Sequence, residues 1–257
     1  MSAGANTIAA TRHQISSNNI NDKMKKKIKL ILLPGMGCCP VKESNFYGWL
    51  ETKIRTDAHL RERFTLDLRD FPDPHLWYFF ELLIILSFFD DDALKLIRAR
   101  VCVACMHLLT FCSQFLFSRQ SIWLPFVRDE LAADEHSILI GHSSGAVACA
   151  RYAEKYKVKG ICVCAGYDDD LGDATERASG YFDTPWDYRK IQENTQFRVC
   201  FAGARDHLVP IDVQRRFAKK LDAKCVEFPE GGHFFTPTFE ELMREIEKAL
   251  DETEDET

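Results

Sequence analysis

The stretch Ser137-Ile138-Leu139-Ile140-Gly141-His142-Ser143-Ser144-Gly145-Ala146-Val147-Ala148 decides how the rest of the chain is read. Residues with the apolar pattern of a buried strand run directly into G-H-S-S-G, and small residues suited to a closely packed helix follow. A G-x-S-x-G turn between a strand and a helix is the context in which a serine becomes an exposed nucleophile. The glycines answer a steric demand. A serine on so sharp a turn holds strained backbone angles, and a Cβ at Gly141 or Gly145 would meet neighbouring chain. The turn lifts the Ser143 hydroxyl clear of the sheet edge. It also aims the unpaired N–H groups of the next helix at whatever the serine attacks.

Working outward, strands and helices alternate. Ile28–Leu33 reads as a first strand closed by Pro34-Gly35-Met36-Gly37, and 43–54 reads as a helix carrying Phe46, Tyr47 and Trp49. Strands are predicted at 64–68, 160–164, 197–201 and 225–228, and helices at 121–131, from Ser144 to about 157, at 212–221 and at 238–250. This order predicts an α/β fold, a mostly parallel sheet with helices on both faces.

In such a sheet the reactive groups belong at the carboxyl ends of strands. Asp206 follows the 197–201 strand in G-A-R-D-H, and His233 follows the 225–228 strand in E-G-G-H-F. The order Ser, Asp, His is that of a hydrolase triad on an α/β sheet. His233 would take the Ser143 proton and return it to the leaving group, while Asp206 would hold the imidazole tautomer. His207 and Asp212 are the rivals, read more plainly as a loop residue and a helix N-cap. His142, beside the nucleophile, is expected to hydrogen-bond behind the site and not to act as the base. An oxyanion hole needs one N–H from Ser144 and one from the loop after the first strand, where Met36 is the first candidate and Gly37 the second.

Composition sets the bounds. With 257 residues the chain can bury one full core, and a net charge of −6 offers no nucleic-acid surface. The 10 cysteines are scattered, several inside predicted strands, which fits free thiols in a reducing cytosol. Cys102-x-x-Cys105 has no second pair at ligand spacing, so neither a metal nor a cofactor is expected. Residues 1–27, rich in Ser, Asn and Thr, read as a flexible extension; 251–257 reads as a solvated acidic tail; and 28–250 is one domain. The expected location is cytoplasmic or nuclear, with no integral membrane span.

Several further stretches carry a resemblance. S-I-W-L-P-F (121–126), I-G-H-S-S-G-A (140–146), R-Y-A-E (151–154), D-L-G-D (170–173), E-R-A-S-G-Y-F (176–182), P-W (185–186) and G-H-F (232–234) closely resemble the retinoblastoma-binding protein 9 family, small serine hydrolases of the α/β-hydrolase fold. The resemblance covers roughly 28–74 and 120–250. It implies Ser143, Asp206 and His233 as the triad, a metal-free site with a minimal lid, and hydrolysis of esters or amides, with aminopeptidase-like and amino-acid-ester activity in some members. One trait is lost. The family's L-x-C-x-E motif for pocket-protein binding reads Leu131-Ala132-Ala133-Asp134-Glu135 here, so with Ala133 in place of the cysteine that partner is not carried over.

The excursion 166–186 leaves a strand's carboxyl end, so Tyr167, Tyr181, Phe182 and Trp186 are expected either to wall an apolar substrate pocket or to pack as a cover over the core. The run Asp168-Asp169-Asp170 could attract a substrate amine, or simply be solvated. Residues 75–119 do not fit: the family crosses this point in a handful of residues, whereas here the chain is largely apolar. Three readings compete, namely an inserted lid, a membrane-surface element, and translated intron whose Phe/Leu/Ser-rich end (108–119) matches what a pyrimidine tract encodes. The leading functional expectation is a serine hydrolase of small hydrophobic or aromatic acyl or aminoacyl substrates. The alternative is a catalytically idle scaffold that serves protein interaction.

Overall fold

The computed structural model describes residues 27–72 and 118–255. Most of the 75–119 insertion and nearly all of the 1–27 extension therefore lie outside the described residues. Six strands form one sheet: β1 (Ile28–Leu33), β2 (Phe64–Asp67), β3 (Ser137–His142), β4 (Val158–Cys164), β5 (Thr195–Gly203) and β6 (Lys224–Phe228). Their order is β2-β1-β3-β4-β5-β6, and every pairing is parallel.

Parallel strands are buried on both faces, so their side chains divide by period two between two cores. Ile31, Leu33 and Leu139 point into one core, with Ala146, Val147 and Phe217. Leu30, Leu32, Ile138 and Ile140 point into the other, with Leu50, Ile54, Leu242 and Ile246. The first core is covered by α3 (Gln120–Pro125), α4 (Ser144–Ala153), α6 (Tyr188–Glu193) and α7 (Ile211–Leu221). The second is covered by α1 (Tyr47–Thr56), α2 (Ala58–Arg63) and α8 (Glu240–Asp255). A five-residue helix, α5 (Ala174–Ala178), lies in the excursion after β4.

The central helix α4 is buried along its whole length, which only its Ala, Gly, Ser and Cys content permits. A Cβ on Gly145 would stand 2.1 Å from the Leu33 carbonyl oxygen, and one on Gly141 would stand 2.4 Å from that of Gly145. The elbow glycines therefore let α4 close onto β1, as the steric reading of the sequence expects.

Some boundaries differ, for physical reasons. Three short helices, α2, α5 and α6, are not marked by periodicity. Each is started by an aspartate cap, with Asp57 accepting from the His59 and Leu60 N–H groups, Asp173 from those of Thr175 and Glu176, and Asp187 from that of Lys190. The helix expected over 121–131 is α-helical only to Pro125. It then widens into a π turn over Phe126–Glu130, because proline supplies no N–H and its ring crowds the preceding turn. The closing helix runs to Asp255, so most of the acidic tail is helical and Asp251 meets Arg63 at 3.3 Å. Asp212 is not the cap of α7; Pro210 holds that position, and Asp212 lies in the first turn. No helix among the described residues is long and apolar enough to cross a membrane.

Candidate active site

The register brings Leu33 beside Gly141, His142 beside Cys164, Cys164 beside Phe201, and Gly203 beside Phe228. Five strands thus end at one edge, and the loops that follow them enclose a cleft of about 360 Å³. Ser143, Ser144, His233, His142 and Met36 all line it.

Ser143 sits at φ 55° and ψ −121°, a left-handed conformation that costs a non-glycine residue on the order of 1–3 kcal/mol. Hydrogen bonds on either side hold it there. Its N–H donates to the Cys164 carbonyl at 2.9 Å, and its own carbonyl accepts from the Ala146 N–H at 2.8 Å. The strain turns the side chain up into the cleft at the head of α4, where first-turn N–H groups have no intrahelical acceptor.

His233 is buried, and its Nδ1 lies 2.8 Å from Oδ2 and 3.0 Å from Oδ1 of Asp206. A carboxylate only accepts, so Nδ1 carries the hydrogen and Nε2 keeps its lone pair. Asp206 is itself fixed. Its Oδ1 accepts from the backbone N–H groups of Leu208 and Val209, both at 2.9 Å, and its Oδ2 accepts from the Gln214 amide at 3.2 Å. Burial pushes the Asp206 carboxyl up, but the bonds from His233, Val209 and Leu208 outweigh it and hold its pKa below the ordinary carboxylate range. His207 is exposed on the cleft rim and does not take this place.

Behind Ser143, His142 closes a buried chain that sequence reasoning anticipated in kind but not in detail. The Gly35 N–H donates to Tyr47 Oη at 3.0 Å, Tyr47 Oη lies 2.6 Å from His142 Nδ1, and His142 Nε2 lies 2.8 Å from the His233 carbonyl. Since a carbonyl only accepts, Nε2 bears the hydrogen and Nδ1 accepts from the tyrosine. One relay thus ties the loops after β1, β3 and β6 together. Desolvation, reinforced by the neighbouring His233, lowers the His142 pKa to about 3. In the unfolded chain the same imidazole titrates near 6.5. Between those values the unfolded state binds more protons, so this contribution to stability is complete above about 6.5 and is lost as pH falls towards 3. Within that window the slope is about 1.4 kcal/mol per pH unit. Denaturant titrations at neutral and mildly acidic pH check this. His142→Gln should show a shallower loss than the unmodified chain, and parallel losses would contradict it.

The oxyanion candidates divide. Met36 and Ser144 line the cleft, whereas Gly37, at φ 75°, turns the loop and is not part of the lining. Of the two expectations for the aromatics of 166–186, Tyr167 follows the pocket-wall reading and the other three follow the core-cover reading. Tyr181 is fully buried and accepts from Ser118 Oγ, and Phe182 and Trp186 pack against the core. The reason lies in Arg151, which is buried and donates to the carbonyls of Tyr181, Thr184 and Pro185 while its guanidinium lies 3.6 Å from the Trp186 ring centroid. This arginine staples the segment over the core. The apolar surface of the cleft comes instead from Met36, Leu171, Leu208 and Phe235, of which Leu208 and Phe235 are exposed at the rim. The Asp168-Asp169-Asp170 run is spent on cations: Asp168 on Lys220 and Arg216, Asp169 on Arg216, Asp170 on Arg177. Among the described residues no group of three or more His, Cys, Asp or Glu is arranged to hold a metal ion, and the described cysteines are free thiols.

Comparison with known proteins settles the family. Residues 112–250 match the serine hydrolase family model. The chain is 45% identical over 227 residues to the Rattus norvegicus protein "Serine hydrolase RBBP9", a match covering 88% of this chain and 98% of the relative. The chain belongs to the serine hydrolase family. It is an enzyme of that family, as the elbow and the E-R-A-S-G-Y-F run lead one to expect. The fold has solved counterparts. The Bacillus subtilis ydeN gene product superposes with a TM-score of 0.62 at 16% identity, covering 88% of this chain and 100% of that one. MGS-M2, an α/β hydrolase from a Medee basin deep-sea metagenome library, superposes with a TM-score of 0.52 at 12% identity over 91% of each chain. These structures share the α/β-hydrolase fold with this member of the family.

Tyr47, Gln214 and Glu176 are the site-forming residues that motif reading missed. Tyr47 looked like one more aromatic on an amphipathic helix, Gln214 like a polar position in α7, and Glu176 like part of a family signature without a role. None lies in a motif whose spacing announces chemistry.

Proposed function

We propose that this serine hydrolase cleaves ester or amide bonds of small hydrophobic or aromatic acyl or aminoacyl substrates through Ser143, His233 and Asp206, passing through an acyl-enzyme. The observation that carries the reading is the buried His233–Asp206 pair in the same cleft as the strained Ser143. Asp206 fixes the Nδ1–H tautomer, which leaves the lone pair of Nε2 to accept the Ser143 proton. The serine oxygen then attacks the carbonyl carbon, and the developing oxyanion is received by the N–H groups of Ser144, at the head of α4, and of Met36, in the loop after β1. Collapse expels the alcohol or amine, to which His233 returns the proton, and water repeats the sequence to release the acid. The rim residues Leu208 and Phe235, together with Met36 and Leu171, favour an apolar group in the cleft. The buried relay through Tyr47 and His142 would keep the β1 loop and the His233 loop in fixed relation to the elbow, so that the donors need no rearrangement as charge develops.

A fluorophosphonate probe tests the reading at the level of the nucleophile. The unmodified chain should be labelled covalently, and Ser143→Ala should not. Failure to label folded protein would favour an idle scaffold.

A further inference from the structure

Among the described residues that line the cleft, Glu176 is the one carboxylate that is both buried and incompletely paired. It is 8% exposed and lines the cleft with Ser143, Ser144 and Tyr167. Its Oε1 accepts from Ser144 Oγ at 2.9 Å, and Tyr167 Oη lies 3.3 Å from the same serine oxygen. Its Oε2 is buried and has no hydrogen-bond partner. No lysine or arginine is among the described residues that line this cleft, while a second carboxylate, Asp173, does line it. Asp168, Asp169 and Asp170, just upstream, each have a cationic partner, whereas the lining carboxylates have none among the described residues.

A buried carboxylate held by neutral donors and lacking a cation is costly, and such a group calls for a positive partner. Burial raises the Glu176 pKa, against the lowering effect of the Tyr167 and Ser144 hydroxyls beside it. An incoming ammonium would draw the carboxyl back towards its charged form. Its position also says which half of the substrate would bear that ammonium. The carboxyl is one hydrogen bond from Ser144, the residue after the nucleophile, so the charge would sit beside the carbon that Ser143 attacks, on the acyl side. Rotation about the last side-chain bond, a soft torsion in glutamate, would present the unpaired oxygen while Ser144 keeps an acceptor.

We infer that Glu176 is a specificity-determining residue that pairs with a primary ammonium group on the acyl portion of the substrate. Ser144 and Tyr167 orient its carboxyl, and Asp173 adds negative potential at the same wall. This rests on the hydrolase reading above and narrows it to acyl groups that carry an amine close to the scissile carbonyl.

The test uses methylumbelliferyl esters of phenylalanine, of N-acetylphenylalanine and of hydrocinnamic acid. They share the ring and leaving group but carry an ammonium, a neutral amide and no nitrogen, respectively. The unmodified chain should prefer the phenylalanine ester to both others, a comparison that needs no variant. Glu176→Gln should lower kcat/KM for the phenylalanine ester about 30-fold or more, the scale of losing one partner of a desolvated charge pair. The hydrocinnamate ester should change by less than about 3-fold. Equal loss on both esters would reduce Glu176 to a support for Ser144. An unmodified chain that turns over all three esters alike would also overturn the proposal and leave the hydrolase reading intact. Absence of turnover on every ester, together with no fluorophosphonate labelling, would instead sink the hydrolase reading on which it rests.

Discussion

Ser143→Ala and His233→Ala are each expected to lower kcat on an activated ester by about a million-fold, and the double variant by no more than either alone. The reason is that the two groups act as one device. Without Nε2 the hydroxyl of Ser143 keeps its proton and is a poor nucleophile; without the hydroxyl, the imidazole has no proton to move. Residual catalysis over water, about a thousand-fold, should survive in all three variants, because the donors at the head of α4 are untouched. Steady-state rates on one ester, with melting temperatures to confirm folding, check this. Losses that multiply in the double variant would mean that the residues act independently, and the triad assignment would fall.

The second large effect belongs to Asp206. Asp206→Asn should cost about ten-thousand-fold in kcat with little loss of fold. An asparagine oxygen can still accept from the Leu208 and Val209 N–H groups, which hold the β5 loop at 2.9 Å. Its amide nitrogen, however, would face His233 Nδ1 as a donor, so the imidazole would shift its hydrogen to Nε2 and lose the lone pair that Ser143 needs. The Gln214 amide, 3.2 Å from Oδ2 in the present structure, favours the opposite orientation of the new side chain, because Gln214 also donates and must meet an oxygen. The two demands compete for one oxygen. Two backbone donors at 2.9 Å outweigh one side-chain amide at 3.2 Å, so the nitrogen is left facing His233 and the loss falls on the rate. A loss under about tenfold would show that the carboxylate does not set the tautomer.

Much of this was legible in the sequence, and the reasons are specific. The elbow could be read because strand, glycines and small-residue helix are adjacent in the chain and each answers a steric demand, seen again in the 2.1 Å approach of a Gly145 Cβ to Leu33. Asp206 and His233 could be picked because a parallel sheet delivers reactive groups only at strand ends. The sequence left open whether the aromatics of 166–186 wall the pocket or cover the core. Tyr181, Phe182 and Trp186 are drawn over the core by the buried Arg151, a long-range contact that no local pattern encodes. The fate of Asp168-Asp169-Asp170 depended likewise on Arg177 nearby and on Arg216 and Lys220 far along the chain. Glu176 was hidden for the opposite reason. Its importance lies in a partner that is missing, and a sequence displays residues, not vacant hydrogen bonds. The π turn after Pro125 and the aspartate-capped helices α2 and α6 were at least signposted by proline and aspartate, though periodicity outvoted them.

The most direct measurement of the central claim is capture of the covalent intermediate. The protein would be mixed with an aryl ester, acid-quenched within the first turnover and digested for peptide mass analysis. The acyl group should be found on the peptide holding Ser143, at a stoichiometry matching the burst of released phenol. An acyl group on any other residue of the cleft, Cys38 included, or a burst with no adduct at all, would contradict it.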